Sequence, residues 1–199
     1  MIGTKGSLPL LSRASMSVQS ARPSYDPYAS AVTVYDLPAM VSEWMGIEYA
    51  ELSVVLVHLK HLQLIHQVHH WVSCGDPFYS DHLMFQRLYD AVNEHIDSVA
   101  EKAVGLGSER NVEPVLIAKQ LSRLMASNCS PMAGIPSSTD LVKRSLKAEH
   151  EFVDLVKRAS LQLSAHGALS YGLDNLLAQL ADDHEKSVYL LKQRCGGNY

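Results

Sequence analysis

Residues 47–107 read IEYAELSVVLVHLKHLQLIHQVHHWVSCGDPFYSDHLMFQRLYDAVNEHIDSVAEKAVGLG. Between 47 and 73 nothing breaks a helix, and Leu52, Val55, Leu56, Leu59 and Leu62 recur at the spacing of one helical face. Gly75-Asp76-Pro77 then interrupts the run, which predicts Asp76 as an N-cap and Pro77 as a first helical residue. A second periodic series follows: Phe78, Leu83, Phe85, Leu88, Tyr89, Val92, Ile96 and Val99, stopping at Leu106-Gly107. Two long helices joined by a short turn must lie antiparallel, and each carries an apolar stripe that one neighbour cannot cover.

Working outward, Asp36 and Pro38 mark a helix start that Gly46 interrupts. Pro114 to about Ala126 is a shorter amphipathic stretch, and residues 128–136 read as a loop. Ser137-Ser138-Thr139-Asp140 caps a third long helix ending before Gly167. A fourth runs from about Ser170 to Arg194 and stops at Gly196-Gly197. No segment alternates with period two over strand length. The expected fold is all-α: a four-helix bundle with a short extra helix in the crossover between the second and third helices, over residues 37–195. Residues 196–199 form a tail. Residues 1–36 hold seven Ser and three Pro against three basic residues (Lys5, Arg13, Arg22), too little apolar surface to fold alone, and read as a flexible arm. A transit peptide shares this makeup, and a DNA-binding arm would need more charge; an arm packed on a neighbouring subunit demands least.

The whole chain has 199 residues and a net charge of −4, which argues against a generally basic nucleic-acid binder. Three Cys without a CxxC pair exclude a disulfide scaffold and a thiolate zinc site and suit a reducing cytoplasm. No apolar run is long enough for a membrane span. Phosphate loops, Ser-His-Asp patterns and H-E-x-x-H are missing. So is any Glu-x-x-His, which argues against a di-iron centre within one subunit. The unusual feature is ten His, five of them between His58 and His70.

Asp97 and Glu101 are an i,i+4 pair, so both carboxylates project from one helix face, and His82 and Gln86 share that spacing. Fifteen residues from 82 to 97 span about 22 Å of helix, too far for one cation. If these pairs form a site, a second copy running antiparallel must complete it, which predicts an isologous dimer. Glu149-His150-Glu151 looks ligand-like, but adjacent residues point about 100° apart on a helix, so it reads as solvated.

The run His70-Trp71-x-x-x-Gly75-x-x-Phe78-x-x-x-His82-x-x-Phe85-x-x-x-Tyr89, followed by Asp97-x-x-Ala100-Glu101 and Leu106-Gly107, resembles the signature of the Dps family of ferritin-like mini-cages. Asp183-His184-Glu185-Lys186 with Leu190-Leu191 is similar to that family's last helix, and the resemblance covers about residues 45–192. It implies a shell of twelve subunits that oxidises Fe(II) with hydrogen peroxide or oxygen and stores the ferric product. By position, His70 and His82 would come from one subunit, Asp97 and Glu101 from its partner. His70, Asp97 and Glu101 would hold the tighter iron, and His82 with residue 86 the weaker one. Trp71 would lie beside the site.

The family usually has a carboxylate where this chain has Gln86, and a neutral amide is the weaker ligand for a hard cation. His66 and His69 are candidates to compensate, against the reading that they and His58 and His61 face solvent or donate hydrogen bonds; the other six His outside the 70/82 pair and these two candidates are taken as non-ligands. Two alternatives accompany the iron reading. One is a protective shell that condenses DNA through the arms, a partner only weakly supported by three basic residues, with nucleoid association in the cytoplasm. The other is zinc at the His-rich site, since imidazole suits both metals.

Overall fold

The computed structural model describes residues 37–128 and 136–196. The predicted arm, the tail after Gly196 and most of the loop read over 128–136 lie outside the described residues. Those described form helices α1 (Leu37–Ser42), α2 (Ala50–Val72), α3 (Phe78–Leu106), α4 (Pro114–Asn128), α5 (Ser138–Ala165) and α6 (Tyr171–Arg194), with one 3₁₀ turn at Glu109–Val112. No strand occurs among them. Helices α2, α3, α5 and α6 are the four of the bundle, and α4 is the short helix of the crossover.

Helix α2 is the axis of the packing. It touches α3, α5, α4 and α1, so every residue from Ala50 to Leu59 is buried rather than a single stripe. That explains the continuous apolar run Val54–Val57: a helix covered all round has no wet face to keep polar. Leu155, Val156, Ala159, Leu173, Leu177 and Leu180 close the core from α5 and α6.

The crossover is anchored by Asn111. Its amide, fully buried, donates to the carbonyls of Glu48 (2.7 Å) and Tyr49 (3.2 Å), and accepts from the Ser108 N–H (2.9 Å). This grip holds Tyr49 in the left-handed region at φ 56°. Gly107 sits in the same junction, where a Cβ would come 2.9 Å from the Glu48 carbonyl oxygen.

At the opposite end Asp81 of α3, 1% exposed, accepts from Arg194 Nε (2.7 Å) and Nη2 (3.0 Å) of α6 and from the Ser138 hydroxyl of α5. One carboxylate thus ties three helices, and it fixes α3 and α5 as parallel, because the starts of both lie at that end. Ser137 caps α5 as expected: its hydroxyl accepts from the Asp140 N–H (3.2 Å) while Asp140 accepts from the Ser137 N–H (3.3 Å). Asp76 does not cap α3. Helix α3 begins at Phe78 with Pro77 as the flanking residue and no side-chain cap. The turn is closed instead by the Phe78 N–H on the Gly75 carbonyl, with Gly75 at φ 79°.

Candidate metal centre

His70 lies in the last turn of α2 and His82 in the second turn of α3, brought face to face by the tight 73–77 turn. Each ring donates to the other's backbone: His70 Nδ1 to the His82 carbonyl (2.9 Å) and His82 Nδ1 to the His70 carbonyl (3.0 Å). A carbonyl only accepts, so both Nδ1 atoms carry a proton, and the tautomer these bonds select is the one whose lone pair lies on Nε2. The rings stack with centroids 3.7 Å apart, and Phe78 and Tyr89 flank them. Imidazoles whose Nδ1 is held by a backbone carbonyl have their orientation and tautomer fixed in the way common for metal-ligating His.

Gln86 is one turn further along α3 and exposed. Asp97 and Glu101 are exposed as well, on the C-terminal half of the same unbroken helix. At about 100° per residue, Gln86, Asp97 and Glu101 lie about 40°, 60° and 100° around α3 from His82. All four therefore share one outward face, with the imidazoles at one end and the carboxylates about 22 Å away at the other. Glu101 also borders a groove against Gly172 and Asn175 of α6. The chain brings His70 and His82 together and keeps Asp97 and Glu101 apart from them. Among the described residues no three His, Cys, Asp or Glu converge on a ready-made metal position.

His66 and His69 do not join this face. His66 is fully buried, with Nδ1 against Ser145 Oγ (3.1 Å) and Nε2 against Glu149 (2.7 Å); His69 Nδ1 meets the same hydroxyl at 2.8 Å. Burial pushes the His69 imidazole down to about 3, with His66 and Arg144 adding to it. His58 and His61 are buried too. The solvated reading of Glu149-His150-Glu151 is likewise overturned, because Glu149 is 0% and Glu151 4% exposed. Glu149 follows Ser145 by four residues and precedes Phe152 by three, the spacing of the core face of α5. Reading that register, instead of the tripeptide alone, finds it.

No family model matches the chain. A nutrient stress-induced DNA-binding protein of Nostoc sp. is 30% identical over 137 residues, covering 67% of this chain and 71% of the relative. Its counterpart in a Synechococcus species is 27% identical over 128 residues, covering 63% of this chain and 70% of that one. Among solved structures, Dps from Thermosynechococcus elongatus superimposes with a TM-score of 0.59 at 18% identity, covering 79% of this chain and 90% of that chain. A point mutant of Listeria innocua Dps gives 0.63 at 17% identity, covering 74% and 95%. The fold and site therefore define a ferritin-like bundle with donors displayed on an outer face. The chain belongs to the Dps family.

Proposed function

We propose that this chain assembles into a Dps-type cage, a homododecamer, that takes Fe(II) as substrate at ferroxidase sites shared between subunits and stores the ferric product. The observation that carries this is the reciprocal His70–His82 pair: it engages both Nδ1 atoms with backbone carbonyls, and among the described residues no carboxylate joins it to complete a metal position. A second copy, antiparallel across a two-fold axis, would place its Asp97 and Glu101 against that pair, giving two sites per dimer. Trp71, Phe78, Tyr79 and Leu83 surround the pair as exposed apolar side chains, a surface suited to such a partner.

Two Fe(II) held side by side each lose one electron, and the O–O bond of hydrogen peroxide takes both, so no one-electron oxygen species is released. Hydrolysis of the ferric product then frees protons. In this reading Glu101 would bridge the two ions, while Asp97 and the imidazoles would supply hard and borderline donors. Gln86 offers only a neutral carbonyl oxygen, which leaves the second ion held less tightly. Gln86→Asp is expected to tighten it in an anaerobic Fe(II) titration. Unchanged affinity and stoichiometry would remove position 86 from the site.

Complementation tests the shared site. His82→Ala and Asp97→Asn cages should each lose Fe(II)-dependent peroxide consumption. Cages co-assembled from equal amounts of the two should recover it, because a mixed dimer contains one site with both sets of ligands intact. About one site in four is then restored. Recovery no greater than that of the parent variants would show that the four ligands are not contributed by two subunits. Zn2+, which competes for imidazole, is the inhibitor control.

A further inference from the structure

A two-fold face cannot by itself build a shell. An isologous contact pairs two copies and is then used up, so a closed cage needs a second contact between two different patches of the chain. The inference that follows rests on the cage reading and names those two patches. Interfaces are anchored by an aromatic side chain seated in a hollow of the partner, so one patch is a bare knob and the other a groove.

Tyr171, the first residue of α6, is 97% exposed, the most exposed of the large apolar side chains described. It lies about 120° around α6 from Asp183, whose partner His95 belongs to α3, so it stands on the side of α6 turned from α3. A tyrosine ring has about 150–250 Å² to bury wherever a partner accepts it. Asp174, also exposed, follows three residues later, and ring and carboxylate therefore project from neighbouring positions on the helix.

The groove lies between α1 and α4. Ala39, Met40 and Leu124 line it with Gln120 and Ser127, and its volume is about 330 Å³. A hollow of that size is an exception in a close-packed molecule. Its rim is charged. Glu43 pairs with both Lys119 (3.3 Å) and Arg123, and these two cations, 51% and 58% exposed, outnumber it by one. An apolar floor under a net positive rim complements an aromatic ring followed by a carboxylate. His166, just before α6, lies 3.8 Å from Glu51 in the first turn of α2. The start of α6 and the α1–α2 junction thus share one end of the bundle, where copies can meet around an axis.

We propose that Tyr171 of one subunit enters the α1–α4 groove of the next, with Asp174 against Arg123, as the heterologous contact that joins dimers into a shell. The contact runs head to tail, and in a shell of twelve it closes around three-fold axes.

The full chain with Tyr171→Ser should keep its helical circular dichroism, because so exposed a side chain supports nothing in its own subunit. Its mass in light scattering should fall to that of a dimer, about one sixth of the shell. Ala39→Trp, which fills the groove from an exposed position on its lip, should do the same. Asp174→Lys should weaken assembly, and adding Arg123→Glu should restore it, a rescue that misfolding could not produce. Tyr171→Ser particles of undiminished mass would overturn this contact and leave the two-fold reading standing, as would a charge reversal without rescue. A parent chain no heavier than a dimer would overturn both. Benzoylphenylalanine in place of Tyr171 identifies the occupant: photocrosslinks to residues 39–43 or 120–127 of another subunit support the proposal. Crosslinks confined to any other segment, residues 1–36 included, would mean that the groove takes a different occupant.

Discussion

His58 and His61 show how burial sets the charge of single residues in this protein. His58 donates to the Val54 carbonyl of its own helix at 2.9 Å, and burial, reinforced by Arg158, lowers it to about 4 despite that bond. Burial, with His58 and His66 nearby, takes His61 to about 3. Above about pH 6.5 these rings are neutral folded or unfolded and cost nothing. As the pH falls below 6.5 the unfolded chain takes up protons that the folded chain refuses, until the folded values near 4 and 3 are reached. At pH 5 each ring therefore costs about 2 kcal/mol relative to pH 7. His61→Gln should shrink the loss of urea stability between pH 7 and pH 5 by about that amount. An unchanged difference would mean that His61 protonates freely in the folded protein. Residues of this kind are poorly legible in sequence: a His in an apolar run can be a ligand, a surface group or a buried neutral ring. His70 and His82 were singled out only by their resemblance to a family signature, and the structure brings the two rings face to face. The inward turn of His66 and His69 depends on Ser145 and Glu149, about eighty positions away.

Among the elements, periodicity and capping residues gave the four long helices, the crossover helix and the Ser137 cap nearly as the structure has them, since amphipathic spacing and capping are local properties. The start of α3 was misread because Asp76-Pro77 satisfies a local rule that Gly75 makes unnecessary by closing the turn through its carbonyl. The 3₁₀ turn at Glu109–Val112 had no local signal strong enough to read, being held by Asn111 against a distant junction. Least legible was the clamp at Asp81, whose partners are 57 and 113 residues away. Arg194→Met leaves a carboxylate buried with only the Ser138 hydroxyl for compensation, and should cost about 3 kcal/mol in chemical denaturation. Adding Asp81→Asn should recover part of that loss. If Arg194→Met proved neutral, the pair would be a bystander to the packing of α3, α5 and α6.

On the scale of the whole molecule, one face stands out. Trp71 is 64%, Tyr79 73% and Leu83 45% exposed, beside two imidazoles that lack their carboxylates. Under the two-fold reading this is the middle of an interface, where truncation or charge is most costly. Leu83→Glu should release subunits or dimers in light scattering while the helical circular dichroism stays intact. A cage of undiminished mass would place the contact elsewhere. No helix among the described residues is long and apolar enough to cross a membrane.

The Asp81–Arg194–Ser138 clamp also bears on the order in which the chain folds. The hairpins α2–α3 and α5–α6 are each local in sequence and form early, when loop closure is least costly. Joining them across the crossover is a contact of high order, and Arg194 reaches Asp81 only after both hairpins exist. Interactions made that late scarcely enter the folding transition state, so they govern how slowly a finished subunit opens rather than how quickly it is made. A bundle latched at one end by its last-formed contact keeps its buried polar groups, His66, Glu149 and His184 among them, shut in by kinetics as much as by packing.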